Sequence, residues 1–126
     1  MGTELDMTKF ASTAKGLVFN EKLPVEIEYN KSEFNLSNES TTFDIMQTSI
    51  GQGTTLVTPI HMAMIASSIA NNGKLMKPYL VDTIESSDKS VVTKTENEDY
   101  ARLMTKQEAT QHQTYLRAVV DYGTGQ

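Results

Sequence analysis

"TSIGQGTTLVTPIHMAMIASSIANNGKLMKPYLV", residues 48–81, is the stretch on which the reading of this chain turns. Thr58-Pro59 predicts a helix start, because proline fits the first helical position and a threonine oxygen can accept an otherwise unpaired amide. Met62, Ile65, Ala66 and Ile69 then recur on one face, while Ala63, Ser67 and Ala70 keep the helix thin enough for close neighbours. Asn71-Asn72-Gly73 supplies the left-handed stop that a helix carboxyl end favours. After Lys77-Pro78, residues 79–84 read as a strand, 86–90 as its turn and 91–95 as a returning strand. Upstream, Thr41-Thr42-Phe43-Asp44 can cap a short helix to about residue 48, which Gly51 and Gly53 bring to a halt.

Nearer the amino terminus, Thr3 with Asp6 three residues on predicts a capped helix over about residues 4–15, ended at Gly16, with Met7, Phe10, Ala11, Ala14 and Val18 at helical spacing. Leu23-Pro24 breaks any helix, and Val25, Ile27 and Tyr29 alternate with Glu26 and Glu28, the pattern of a half-exposed edge strand. Residues 32–42, rich in Ser, Asn and Thr, read as a surface loop. Thr105-Lys106-Gln107-Glu108 is a capping box; its helix should run to about residue 121 with Ala109, His112, Leu116, Val119 and Val120 inward, before Gly123-Thr124-Gly125. The fold class expected is mainly α with a small antiparallel β hairpin and one edge strand.

A chain of 126 residues is one domain's worth and makes one compact body the default. With 38% hydrophobic but only 7% aromatic residues and 7 Met, its core should be aliphatic and patched by methionine. The net charge of -5, with no basic cluster, disfavours nucleic acid and anionic membrane surfaces. The run 62–70 is far too short to span a bilayer, and Met1-Gly2 opens without a secretory leader. The absence of cysteine removes disulfides and thiolate chemistry. His61 and His112 lack metal-site spacing, so each is expected to be exposed or hydrogen-bonded; no metal and no cofactor are expected.

Reactive chemistry is thin. Ser12-Thr13-Ala14-Lys15 fits S-x-x-K, in which a serine gives its proton to a neutral lysine one turn away. With 10 Ser and 9 Lys, about 0.7 such matches arise by chance, and Ser86 to Lys89 supplies a second in a turn. No serine is followed two positions later by asparagine, and Lys94-Thr95-Glu96 places a carboxylate where K-T-G has glycine. Glu96, Glu98 and Asp99 read as a solvated loop, and Glu26 with Glu28 as guards against edge pairing. Gly51-Gln52-Gly53 and Gly123-Thr124-Gly125 lack the spacing and lysine of a phosphate loop.

The segments Gln47-Thr48-Ser49-Ile50-Gly51-Gln52-Gly53, Leu56-Val57-Thr58-Pro59, Ala63-Met64, Ala70-Asn71-Asn72-Gly73 and Met76-Lys77-Pro78-Tyr79-Leu80-Val81 together closely resemble the transpeptidase domain of class B penicillin-binding proteins. Gly16-Leu17-Val18-Phe19-Asn20 looks like the family's Gly-Phe-Asn segment, and Leu116, Val119, Val120, Gly123, Thr124 and Gly125 look like its "M-x-x-V-V-x-x-G-T-G". The resemblance implies a piece of an α+β fold of the beta-lactamase-like type, comprising its helical scaffold over residues 1–126. It implies peptidoglycan cross-linking through an acyl-serine, with stem peptides and beta-lactams as partners and a parent protein anchored outside the cytoplasm. The family's S-x-x-K, S-x-N and K-T-G motifs fall outside the matching region, so no catalytic residue is assigned here and the isolated chain is expected to be inactive. Met1-Gly2 is then expected to mark a cut in a longer protein. Gly51, Gln52 and Gly53 are the residues that the resemblance places at a substrate groove. Apolar helix faces meant for a missing sheet imply self-association, through the helix of residues 59–72 or the final one. Two other readings stay open: a non-catalytic interaction module or beta-lactam sensor of the same ancestry, and a small hydrolase using Ser12 and a buried, unpaired Lys15.

Overall fold

Helix α1, Met7–Gly16, starts at Asp6, whose carboxylate accepts the amides of Thr8 and Lys9 at 3.0 and 3.2 Å. The computed structural model describes residues 6–37 and 39–125, so the expected Thr3 cap lies outside the described residues. Helix α2, Thr42–Ser49, and helix α4, Lys106–Tyr122, each begin with a complete capping box, Thr41 with Asp44 and Thr105 with Glu108. These hydrogen bonds hold both carboxyls below the usual carboxylate range, the threonine hydroxyl contributing most in each. Helix α3 occupies Pro59–Ala70, as its Thr-Pro start and Asn-Asn-Gly stop predict.

The described chain thus carries four helices and two small antiparallel strand pairs. The expected hairpin forms with a shorter first strand: β2, Thr83–Glu85, pairs with β3, Val91–Lys94, Thr83 lying opposite Lys94, while residues 79–82 lie outside any strand. Its turn is organised by Asp88, which accepts from the Ser86 and Ser90 hydroxyls and the Ser90 amide. The first of these bonds is the main reason the carboxyl is held down to about 2. A second pair, β1 (Lys74–Met76) with β4 (Asp99–Arg102), has no forewarning in the sequence pattern. It takes Asp99 out of the expected loop: Lys74 Nζ lies 2.8 Å from the Asp99 carboxylate, and Lys77 Nζ lies 3.1 Å from that of Glu98. Both ion pairs are half-exposed, which limits each to about 0–1 kcal/mol.

The alternation at 25–29 does not make a strand; Glu26 and Ile27 form a bend and the residues around them have no regular structure. Period two supplies a face but not a neighbour, and strand backbone needs a partner to bond.

Two compact units share the chain. One holds residues 1–23 and 29–63, the other 24–28 and 64–126. In the first, Ala14, Val18, Leu23, Ser32, Thr48 and His61 are buried. Phe34 meets Phe10 edge-on at 5.2 Å and Phe19 at 6.2 Å. In the second, Met64, Ser68, Ile69, Leu75 and Ala109 are buried. The buried residues of α3 are therefore His61, Met64, Ser68 and Ile69; of the expected face only Ile69 is buried, Ile65 is half-buried, and Met62 and Ala66 are exposed. On α4 only Ala109 of the expected inward set is buried; Leu116, Val119 and Val120 are about half-exposed at 52%, 47% and 57%. Gln113 instead reaches in, donating its amide to Ile69 O at 2.6 Å. Among the described residues, no helix is long and apolar enough to cross a membrane.

The unit of α1 and α2 turns on a left-handed joint. Phe19 N donates to Ala14 O and Val18 N to Lys15 O, the paired bonds of a Schellman cap. Its left-handed residue is Val18, with φ +69°, not glycine. Gly16 lies inside the last turn, two residues before the place where its freedom would be used.

Candidate functional site

The loop at Gly51, Gln52 and Gly53 is built from the carboxyl end of α2. Ile50 N and Gly51 N both reach Thr48 O or Gln47 O, and Gln52 N donates to Gln47 O at 2.9 Å. The chain then doubles back through two left-handed positions, Gly51 with φ +78° and Gly53 with φ +89°. Space does not require glycine there. A side chain at Gly51 would meet nothing within 4 Å, and one at Gly53 only ordinary contacts at 3.5 Å with Gln47 and Thr48. Backbone conformation alone selects them. All three residues are exposed, Gln52 standing between the two left-handed glycines.

The outgoing limb of the loop is held by residues 32–35. Glu33 and Leu56 exchange two backbone hydrogen bonds, at 2.7 and 2.9 Å, in an isolated antiparallel bridge. Asn35 Nδ2 donates to Thr54 O at 3.3 Å. Thr58 N donates to the hydroxyl of Ser32, whose carbonyl accepts the Asn20 amide. Ser32, which its Ser/Asn/Thr-rich surroundings assign to a surface loop, is in fact buried at 2% exposure because this hub needs it.

Asn20 and His61 complete the frame. Asn20, left-handed at φ +64°, offers its carboxamide to Phe34 as a strand would: Nδ2 donates to Phe34 O at 2.9 Å and Oδ1 accepts Phe34 N at 3.0 Å. His61 is 1% exposed and lies 4.8 Å from the Phe19 ring. Its Nε2 is 2.7 Å from Leu17 O, and since a carbonyl can only accept, Nε2 carries the proton. Nδ1 is buried without a partner among the described residues. The expectation of a hydrogen-bonded histidine holds for His61, and His112 on exposed α4 bonds Glu108 O through Nδ1. Nothing in the sequence announces that His61, Ser32 and Asn20 work together, since no local spacing links positions so far apart.

Chemically, this loop offers an exposed carboxamide between two left-handed glycines. It presents no nucleophile and no base. Ser12 and Lys15 are both solvent-exposed on α1, contrary to the buried lysine that the hydrolase reading requires. Among the described residues, no group of three or more histidine, aspartate or glutamate side chains gathers to hold a metal ion.

A family profile described as "Penicillin binding protein transpeptidase domain" matches residues 1–126. The peptidoglycan D,D-transpeptidase PbpA of Mycolicibacterium smegmatis is 36% identical over 77 residues, covering 56% of this chain and 16% of the relative. Penicillin-binding protein 3 of Bacillus subtilis is 33% identical over 91 residues, covering 68% of this chain and 13% of the relative. A solved structure of penicillin-binding protein A from Mycobacterium tuberculosis, a penicillin G acyl-enzyme complex, superposes with a TM-score of 0.74 at 26% identity, over 87% of this chain and 25% of that one. The chain thus spans less than a fifth of the length of the curated relatives it matches.

Proposed function

The chain belongs to the penicillin-binding protein transpeptidase domain family, and on that footing we propose that it is the helical scaffold portion of a peptidoglycan D,D-transpeptidase. The observation that carries this reading is the match of the family profile along all 126 residues, joined to the loop, helix, stop and hairpin that residues 48–94 build. In the whole enzyme, an active serine outside residues 1–126 attacks the penultimate D-alanine carbonyl of a stem peptide. Terminal D-alanine departs as the acyl-serine forms, and an amine from a neighbouring strand takes the acyl group and frees the serine. Beta-lactams acylate the same serine; the likeness to the penicillin G acyl-enzyme from Mycobacterium tuberculosis supports this choice. Peptidoglycan lies beyond the cytoplasm, so the parent protein works there, held at the membrane.

Gly51, Gln52 and Gly53 line the substrate groove in this reading. The two left-handed glycines hold Gln52 out from the α2 end, where its carboxamide can both donate to and accept from an extended peptide main chain. Residues 1–126 alone do not acylate in this reading, because Ser12 and Lys15 both stand in solvent on α1, without the enclosed setting that a serine–lysine pair uses. The test is labelling with a fluorescent penicillin. The 126-residue chain should remain unlabelled, while the longer protein should label and Gln52→Ala in it should slow labelling without changing the melting temperature. Covalent label on the short chain that disappears in Ser12→Ala would overturn this reading.

A further inference from the structure

Asn72-Gly73 is the single Asn-Gly pair of the sequence, and it sits at the joint between α3 and β1. In such a pair no side chain on the second residue keeps its amide nitrogen away from the asparagine carboxamide. The glycine nitrogen attacks Cγ; the new C–N bond closes a succinimide ring and the side-chain nitrogen leaves as ammonia, carrying the amide proton. Water then opens the ring at either carbonyl, giving aspartate or, with the main chain rerouted through the side chain, isoaspartate.

We propose that Asn72 is a modification site of this kind, a deamidation site that the closed α3 cap holds shut and that each opening of the cap exposes. Asn72 is solvent-exposed, so water reaches it freely. What restrains the reaction is the nucleophile. Gly73 N–H donates to Ser68 O at 2.7 Å, and Gly73 O accepts Leu103 N at 2.9 Å, so the glycine peptide is pinned on both sides. Attack requires that amide to give up its proton, and the negative carboxyl end of α3 disfavours a nitrogen anion at that spot. Arg102 Nη1 clamps the cap from outside, donating to Asn72 O at 3.1 Å and Met104 O at 3.3 Å. Asn71 adds a weaker tie, Nδ2 to Lys74 O at 3.3 Å.

The product would not be silent. Isoaspartate lengthens the main chain by one carbon where β1 begins, displacing the Gly73 carbonyl from Leu103 and with it the pairing of Lys74 with Arg102. The rate should follow the cap-opening equilibrium, as for any reaction confined to a locally opened state.

The test incubates the whole chain at mildly alkaline pH with and without urea, and locates aspartate and isoaspartate by peptide mapping. Position 72 should convert first in urea, and at least about tenfold more slowly in the folded chain. Arg102→Ala should speed conversion in the folded chain and leave the rate in urea unchanged. Asn71→Ala, a milder loosening, serves if Arg102→Ala fails to fold. Equal rates with and without urea, first conversion at another asparagine in urea, or a folded rate indifferent to the cap variants would each overturn the proposal.

Discussion

Replacing Gly73 by alanine should be among the most damaging single changes in the unit that holds α4. Gly73 has φ +85°, where an L-residue costs about 1–2 kcal/mol. An added Cβ would fall on Met104 O and lie 2.9 Å from Met104 C, and a backbone neighbour cannot swing aside as a side chain can. Moving that neighbour endangers the Leu103 N to Gly73 O bond one residue away, so the overlap adds about 1–3 kcal/mol. Against this, alanine narrows the unfolded ensemble by about 0.4–1 kcal/mol. The balance is a loss of about 1–4.5 kcal/mol. Gly16 is the internal control: its φ is not left-handed and nothing stands within 4 Å of its added Cβ, so Gly16→Ala should stabilise α1 by about 0.5–1 kcal/mol. Urea titrations followed by far-UV circular dichroism, with amide exchange of Leu103 as the local probe, measure both. A Gly73→Ala midpoint equal to that of the parent, or equal losses from the two variants, would contradict this balance.

Three further outcomes are expected. Asp88 is held at about 2 against an ordinary 3.8, so its contribution to the β2–β3 turn is present above pH 3.8 and is lost as pH falls toward about 2; an NMR titration of the Ser90 amide should show that low midpoint, and an ordinary one would contradict the geometry. Val18→Gly relieves about 1–2 kcal/mol of left-handed strain but forfeits about 1.5–3 kcal/mol of burial and about 0.5–1 kcal/mol of glycine entropy, so stability in a urea titration should still fall by about 1.5 kcal/mol, and a rise would show that strain dominates. The open face of α4 at Leu116, Val119 and Val120 should make the 126-residue chain self-associate, visible as a mass that grows with concentration in light scattering and is reduced by Leu116→Glu; a constant monomer mass would rule this out.

Local chemistry made much of this architecture legible. Thr41 with Asp44 and Thr105 with Glu108 announce α2 and α4 because a cap is settled within four residues. Asn72 and Gly73 likewise announce the end of α3 through their own backbone preferences. The ladder of β1 with β4 stayed hidden because Lys74 and Arg102 are far apart in sequence and each strand is only three or four residues long. Leu116, Val119 and Val120 have the spacing of a buried stripe yet stand open, since spacing identifies an apolar face without identifying what covers it. For the candidate site, the helix-ending turn at Gly51 and Gly53 could be read in advance, but not the hub of Asn20, Ser32 and His61 behind it. Its members lie on three separate segments, and only folding makes them neighbours.

The grip of Asn20 on Phe34 is chemically asymmetric, since one end of the amide gives a hydrogen and the other receives one. Aspartate has almost the same outline, but it would set two lone-pair-bearing oxygens against Phe34 O at the position where attraction is now found. Shape at this junction is therefore a weaker discriminator than polarity, and a near-isosteric exchange there would be read by the fold as a reversal of sign.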